Sequence, residues 1–490
     1  MLHLVQQPDG GVFSAAFRGL SIGILVLMTS IAVEGMAVAT VLPTAAADLN
    51  GLEWYGWAFS AFMLASLVGA IGGGELADQR SPALAGQLAL AVFAVGLLVA
   101  GFAASWLMLL LGRSLQGLGA GGLGSLAYLA VARGYPEPLR PRLLALLSTA
   151  WVLPALIGPA LAGVVAELAT WRLVFLSILV PVMAGAVLLV PALRNLPAAA
   201  AQGAGRRRLR NALQLAAGAG LVLWAAGMTS ILVGLPLGLV GIGLSAPALR
   251  ALLPVGTFLG RPGLPAAVGV RGLLAFGFFG CEALIPLGLS TERGLPPSLV
   301  GLSLTAGALT WVAGSWFQDR AEARGRGGRG LRVRLGLGLV LVATAGVAVV
   351  ILSPSLPVWL GVVAWAVAGL GMGLAYPGST LVAMADPNGQ AGLGAASLLV
   401  GETVGIAAGA GAGGALVAVT VHLDLGLAYG LGWGFALSGL GVLLAFAPAL
   451  RLMPAGRGGV KAGHGARRGG RTVQTPSLSG NTVQPGESLE

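Results

Sequence analysis

Residues 19–43 read Gly-Leu-Ser-Ile-Gly-Ile-Leu-Val-Leu-Met-Thr-Ser-Ile-Ala-Val-Glu-Gly-Met-Ala-Val-Ala-Thr-Val-Leu-Pro, a run in which Glu34 is the one charge. As an α-helix this stretch is about 37 Å long, enough to cross the ~30 Å hydrocarbon core of a bilayer. A charge held there costs ~3 kcal/mol on insertion scales. The pattern recurs: Glu282 lies inside the apolar run 264–290, and Glu402 inside 390–419. A chain that keeps three such acids in lipid uses them. The reading is a polytopic membrane transporter with these acids as the first candidates for ion or substrate coupling.

Composition agrees. Of 490 residues, 56% are hydrophobic and only 9% charged, against about 25% charged in a soluble protein. An ordinary soluble enzyme is excluded. The apolar runs do not alternate with polar residues at period two, so a β-barrel is excluded as well. Glycine is abundant, with 81 residues; in lipid, small residues let helices approach closely. Lys461 is the one lysine, while Arg, Ala and Gly are frequent. That bias suggests GC-rich coding, so a single glycine carries little weight.

Several chemistries drop out. Cys281 is the one cysteine, so neither a disulfide nor a cysteine-based metal site can be built; a buried inert thiol is expected. His3, His422 and His464 are scattered without metal-ligand spacing. Gly117, Gly119 and Gly122 satisfy G-x-G-x-x-G, but no strand precedes them, so no dinucleotide site follows. No Walker loop occurs, which argues against ATP-driven pumping. Ala45-Ala46-Ala47 resembles a leader cleavage site, but the preceding run is too long and carries Glu34, so 19–43 is read as a retained span. No cofactor, metal or nucleic-acid partner is expected, and the chain is not read as an enzyme.

Polar, charged and proline-rich breaks divide the chain into fourteen spans, near 19–43, 54–77, 83–104, 106–133, 141–168, 171–192, 211–228, 230–248, 264–290, 296–317, 331–352, 356–384, 390–419 and 426–449. The short pair within 211–248, interrupted by Pro236, is the least regular. With the N-terminus cytoplasmic, every Lys and Arg except Arg113, Arg172 and Arg293 falls in a segment on the cytoplasmic side, Arg271 among them. That asymmetry sets both the even span number and the orientation. It explains the net charge of +11 by an anionic inner leaflet rather than nucleic acid. Trp54, Trp57, Trp106 and Trp171 fall at the outer boundary, as an aromatic belt would. The expected location is the plasma (inner) membrane, multi-pass, with both termini cytoplasmic.

The two halves echo each other. Gln116-Gly117-Leu118-Gly119-Ala120-Gly121 in the fourth span parallels Ala368-Gly369-Leu370-Gly371-Met372-Gly373 in the twelfth. Glu75-Leu76-Ala77-Asp78-Gln79-Arg80 parallels Trp316-Phe317-Gln318-Asp319-Arg320. Pro154, Gly158, Ala162 and Ala166 step by four in the fifth span, as Gly401, Gly405, Gly409 and Gly413 do in the thirteenth. The expected organisation is a cytoplasmic N-terminus (1–18), a six-helix bundle (19–192), a linker (193–210), two additional helices (211–248), a linker (249–263), a second six-helix bundle (264–450) and a disordered basic tail (451–490). Two such halves related by an axis along the membrane normal place a substrate site between them near the midplane.

These residues resemble the major facilitator superfamily, specifically its fourteen-span drug:proton antiporter branch, over roughly 19–450. Val41-Leu42-Pro43 closes the first span as the family's Leu-Pro motif does. Gly74-Glu75-Leu76-Ala77-Asp78-Gln79-Arg80 is similar to its signature between spans two and three, which here continues as Ser81-Pro82-Ala83. Arg113-Ser114-Leu115-Gln116-Gly117 is similar to its fourth-span motif. Gly158-Pro159-Ala160-Leu161-Ala162-Gly163 is similar to its antiporter motif, with Pro154 and Ala162 where the family has glycine. The resemblance implies a cytoplasmic gate at Asp78, Arg80, Asp319 and Arg320. It implies an antiporter element at Pro154, Gly158, Pro159 and Gly163.

Glu34 and Arg113 lie at nearly equal depth, and Glu282 sits in the span that mirrors the first. One cavity could hold all three. A carboxylate in a partly dry cavity binds a proton near neutral pH, and an arginine, which keeps its charge, opposes that binding. Moving Arg113 relative to Glu34 would couple proton release to conformation, and a cationic substrate could compete for the same acid. A static ion pair is the alternative, and for Glu402 a hydrogen bond across a helix contact. The expected function is proton-coupled efflux of amphipathic or cationic small molecules. A symporter or uniporter of a metabolite, and a non-transporting membrane sensor or assembly factor, are the alternatives. The partners expected are a small-molecule substrate, protons and the bilayer; the oligomeric state stays open, a monomer being compatible.

Overall fold

The computed structural model describes residues 11–196, 205–324, 328–384 and 391–452. Within them the chain is helical: α1 (Arg18–Asp48), α2 (Trp57–Gln79), α3 (Pro82–Gly101), α4 (Trp106–Gly134), α5 (Arg140–Thr149), α6 (Val152–Leu168), α7 (Trp171–Leu193), α8 (Gly205–Ala226), α9 (Ile231–Leu252), α10 (Leu264–Thr291), α11 (Pro297–Ala323), α12 (Arg329–Leu352), α13 (Val358–Met384), α14 (Ala391–His422) and α15 (Leu427–Ala449). Thirteen spans among the described residues are long and apolar enough to cross a membrane, α5 and α6 counting together as one. The remaining helix, α8, opens on Arg206, Arg207, Arg208 and Arg210, so less of its length is apolar.

Local chemistry sets the boundaries. Ser81 caps α3, its Oγ accepting from the Leu84 amide at 3.0 Å, with Pro82 at the first helical position. The Ser-Pro that departs from the loop signature is therefore a helix start. Ser105 caps α4 in the same way, and Thr170 accepts from the Arg172 amide at the start of α7. The expected fifth span is broken at Ala150 into α5 and α6, because Pro154 cannot donate to the Ala150 carbonyl. Pro43, in contrast, does not end the first helix, which runs on to Asp48.

Two expected linkers change. Residues 205–210 form the first turns of α8 rather than linker. In 249–263 the chain turns at Gly256, Gly260 and Gly263, all at positive φ, around a short 3-10 turn at Thr257–Leu259. The tail beyond 452 and the segment 197–204 lie outside the described residues.

Packing repeats between halves. α4 is wedged between α2 and α3: a Cβ on Gly117 or Gly121 would overlap the Phe62 or Ser66 carbonyl, and one on Gly119 would strike Phe93. α13 is wedged the same way between α11 and α12. A Cβ on Gly369 or Gly373 would overlap the Gly307 or Trp311 carbonyl, and one on Gly371 that of Gly336. The matched glycine strings are thus matched packing surfaces. α1 packs on α6 and α7 as α10 packs on α14 and α15. Across the seam the exchange is reciprocal, α2 meeting α14 and α11 meeting α6. The α8–α9 hairpin lies against α2 and α14, touching both halves.

The end of the bundle where α1 finishes is called the distal face here, and the opposite one, with most arginines, the basic face. On the distal face Asp48 binds Arg172 Nη1 at 2.8 Å and accepts from Trp171 Nε1 at 3.0 Å, while Arg172 Nη2 donates to the Ala103 carbonyl. Arg293 donates to the carbonyls of Val350, Ser353 and Leu356. Both distal arginines of the sequence pattern are therefore loop clamps. Trp106 and Trp171 are buried and tie loops together rather than facing lipid, whereas Trp54 is exposed.

Candidate intramembrane charge sites

Among the described residues two ion pairs lie inside the bundle, one in each half, the first fully buried and the second partly. In the first, α1 carries Glu34 and α4 carries Arg113, both essentially without solvent exposure. Arg113 Nη1 donates to Glu34 Oε1 and to Gln116 Oε1, the latter at 2.6 Å, and Nε donates to the Ala58 carbonyl at 3.1 Å. The guanidinium stacks 4.3 Å from the Phe62 ring centre. Gln116 in turn donates to the Gly96 carbonyl at 3.1 Å. Gly117 lets α2 lie close against α4, which brings Phe62 and Ala58 within reach. Glu34 Oε2 is buried and has no hydrogen-bond partner among the described residues.

The second pair joins α10 to α14. Arg271 Nη1 lies 3.1 Å from Glu402 Oε2, Nε donates to Ser379 Oγ at 3.0 Å, and Nη2 donates to the Tyr376 carbonyl and Thr380 Oγ1. The guanidinium sits 3.4 Å from the Tyr376 ring centre, and the Tyr376 hydroxyl donates to Glu402 at 2.9 Å. Arg271 is only 3% exposed. It belongs to the interior of α10, about 10 Å from that helix's start, not to a loop on the basic face. The expected span 264–290 already contained it, and the helix does begin at Leu264; counting Arg271 with the cytoplasmic-side residues was the misplacement. Glu402 is hydrogen-bonded across helix contacts, by Arg271 of α10 and Tyr376 of α13, and the first of these contacts is an ion pair.

Glu282 stands apart. It is half-buried on α10 and has neither an ion-pair nor a hydrogen-bond partner among the described residues. Among the described residues it makes no hydrogen bond or ion pair with Glu34 or Arg113. Its helix neighbours one turn back, Phe278 and Phe279, enter an aromatic group with Trp311, Trp365 and Tyr376, with ring centres 4.7–6.1 Å apart. Cys281 beside it is a buried free thiol.

On the basic face Asp78 pairs with Arg133 at the end of α4, and Arg80 is exposed. The mirror positions do not repeat this. Asp319 and Arg320 are exposed, Asp319 has no ion-pair partner among the described residues, and Arg320 only approaches the Trp316 ring. The second half instead uses Glu322, which binds Arg329 at 2.9 Å and Arg332 at 2.6 Å, with Gln318 accepting from Arg332. In α6, Pro154, Gly158 and Pro159 are buried, but a Cβ on Gly158 would meet nothing, whereas one on Gly163 would overlap the Pro297 carbonyl of α11. The step-of-four ladder in α14 does pack, with Gly405 and Gly409 against the Gly272 and Phe276 carbonyls.

Sequence reasoning did not single out Arg271, Phe62 or Tyr376 as site residues, and quoted Gln116 only within the fourth-span motif. Arg271 stands only seven residues into α10 and was absorbed into the count of basic loop residues. A tyrosine inside a span, in a chain with five tyrosines, was a signal for Tyr376. No signal pointed to Phe62.

The model of the Major Facilitator Superfamily matches residues 20–410. A transporter of the acurin A biosynthesis cluster from Aspergillus aculeatus is 30% identical over 295 residues, which is 60% of this chain and 50% of the relative. The multidrug efflux pump SdrM of Staphylococcus aureus is 25% identical over 312 residues, 62% of this chain and 69% of SdrM. The match thus spans half to about two-thirds of those relatives' length. Among solved structures, a D-xylose–proton symporter aligns over 91% of this chain and 98% of its own at TM-score 0.60 and 14% identity. A peptide transporter aligns over 91% and 96% at TM-score 0.64 and 15% identity. Those two likenesses show the fold. With matched six-helix halves, and with the family match covering most of its length, the chain is a transporter that belongs to the major facilitator superfamily.

Proposed function

We propose that the protein is a proton-coupled antiporter that exports amphipathic cations by alternating access, with its basic face and both termini in the cytoplasm of a plasma membrane. One observation carries the reading. Glu34, Glu282 and Glu402 lie deep within the spans, and arginines pair with the first and the last while Glu282 has no ion-pair partner among the described residues. An uncompensated carboxylate in low dielectric is costly, so it takes either a proton or a cation from cargo. The rings of Phe278, Phe279 and Trp311 nearby suit an organic cation. SdrM's description as a multidrug efflux pump supports the same class.

Glu34 is assigned to the proton. A proton on Oε2, the oxygen without a donor, neutralises the acid and weakens its attraction for Arg113, which Gln116, the Ala58 carbonyl and the Phe62 ring still hold. The change in the α1–α4 attraction biases the rocking of 19–192 against 264–450. On the basic face the latch is assigned to Asp78 and Arg133, with Glu322 as its counterpart in place of Asp319 and Arg320. The arginines of that face, and those of 451–490, favour an anionic inner leaflet.

The test uses inverted vesicles energised by respiration. Adding an amphipathic cation should collapse the pH gradient in vesicles carrying the protein and not in controls. Glu34→Gln should abolish the response while leaving cation binding intact. Gradient-driven uptake of a sugar or peptide with no response to any cation tested would replace antiport by symport. No flux of any tested solute would favour a sensor.

A further inference from the structure

At the distal face, where the α8–α9 turn meets the seam between halves, a cavity of about 360 Å3 opens. Its wall comes from three places: Glu53, Trp54 and Trp57 at the head of α2, Trp224 and Met228 from the hairpin, and His422 at the end of α14. The volume falls at the small end of the drug-sized range, and the lining is mainly apolar with few polar groups, as ligand sites are. No lysine or arginine lines it among the described residues.

Glu53 and His422 face each other, Oε2 to Nε2, at 3.3 Å, with side chains 45% and 40% exposed. His422 Nδ1 lies 2.8 Å from the Ala418 carbonyl. That carbonyl only accepts, so Nδ1 holds a proton. A flat heteroaromatic ring thus stands against a carboxylate at the edge of an indole-walled cavity.

We propose that this cavity is a binding site for a free lipophilic organic cation, which takes the place of the His422 ring opposite Glu53 and lays its apolar body on Trp57 and Trp224. The site is separate from Glu34 and Glu282, and the α8–α9 hairpin builds one wall of it. Because α2 and α14 belong to opposite halves, an occupant bridges the seam.

The test is equilibrium dialysis of the full chain against labelled tetraphenylphosphonium, in a nonionic detergent free of choline lipids. A Glu282→Gln background removes the proposed cargo site. One equivalent should bind. Glu53→Gln and Trp224→Ala should each weaken binding about fivefold, the weight of one such cation contact. His422→Ala, which leaves Glu53 unpaired, should tighten it. Trp224→Phe keeps an aromatic face and should bind within about twofold of the parent, which separates loss of the ring from misfolding. No binding in this background, an affinity indifferent to Glu53→Gln and Trp224→Ala, or weaker binding by His422→Ala would overturn the site. Binding abolished by Glu282→Gln alone would leave the cargo reading standing without this cavity. Binding that depends only on Glu53 in the wild-type chain would leave the cavity and remove Glu282 from cargo recognition.

Discussion

Arg113 holds one oxygen of Glu34 and leaves the other without a donor. The arginine is shared with Gln116, Ala58 and the Phe62 face, so it is anchored with or without the acid; Glu34 depends on Arg113. Charge balance then predicts an asymmetric cycle. Arg113→Gln strands a buried carboxylate and should cost about 3–5 kcal/mol. Glu34→Gln/Arg113→Gln should recover much of that loss. Thermal unfolding in detergent reads both, and additive losses would contradict the argument.

The Arg271 site predicts that arginine and lysine are not interchangeable there. The guanidinium reaches Ser379, Thr380, the Tyr376 carbonyl and Glu402 at once, and lies flat on the Tyr376 ring. An ammonium cannot satisfy that fork. Arg271→Lys should therefore abolish transport, while Tyr376→Phe, which removes one hydroxyl donor to Glu402, should cost only about 1–3 kcal/mol of stability. Vesicle transport and melting temperature for the two variants check this, and an active Arg271→Lys would refute it.

How much of this was legible follows from physics of different range. Hydrophobic length is local, so the spans could be read, except where Pro154 split one and the arginines of α8 shortened another. The glycine strings told the truth because close helix contact leaves a one-residue trace. Depth along a helix brought Glu34 and Arg113 together, since α1 ends and α4 begins at the distal face. Facing direction has no such trace. Nothing in the string Trp316–Arg320 says that Gln318 turns inward while Asp319 turns out. Arg271 was misread because a rule counting basic residues by loop cannot see one a few residues inside a span.

Arg172 and Arg293 predict a stability difference among arginines outside the membrane core. Arg293 donates to the carbonyls of Val350, Ser353 and Leu356, which no other side chain among the described residues reaches. Arg293→Ala should lower the melting temperature clearly, since each charged hydrogen bond is worth about 1.5–3 kcal/mol before relaxation. Arg320→Ala, from an exposed residue, should leave it unchanged. A gate role for Arg320 would show instead as a transport defect without a stability change.

The seam between α6 and α11 predicts which small residues set the conformational balance. Gly163 faces the Pro297 carbonyl and Gly301 faces the Pro159 carbonyl, both at the distal end, while Gly158 has free space for a Cβ. Gly163→Ala or Gly301→Ala adds an overlap of about 1–3 kcal/mol to the distal-closed arrangement and nothing to one in which the helices part. A cysteine at Ser298, beside Gly163, reports the shift through a membrane-impermeant maleimide. Cys281, being buried, is replaced by alanine to leave one thiol. Labelling should rise severalfold in Gly163→Ala and Gly301→Ala and stay at the parental level in Gly158→Ala. Equal labelling in all three would mean that this seam does not open during the cycle, and that the glycine of the antiporter motif which matters lies elsewhere.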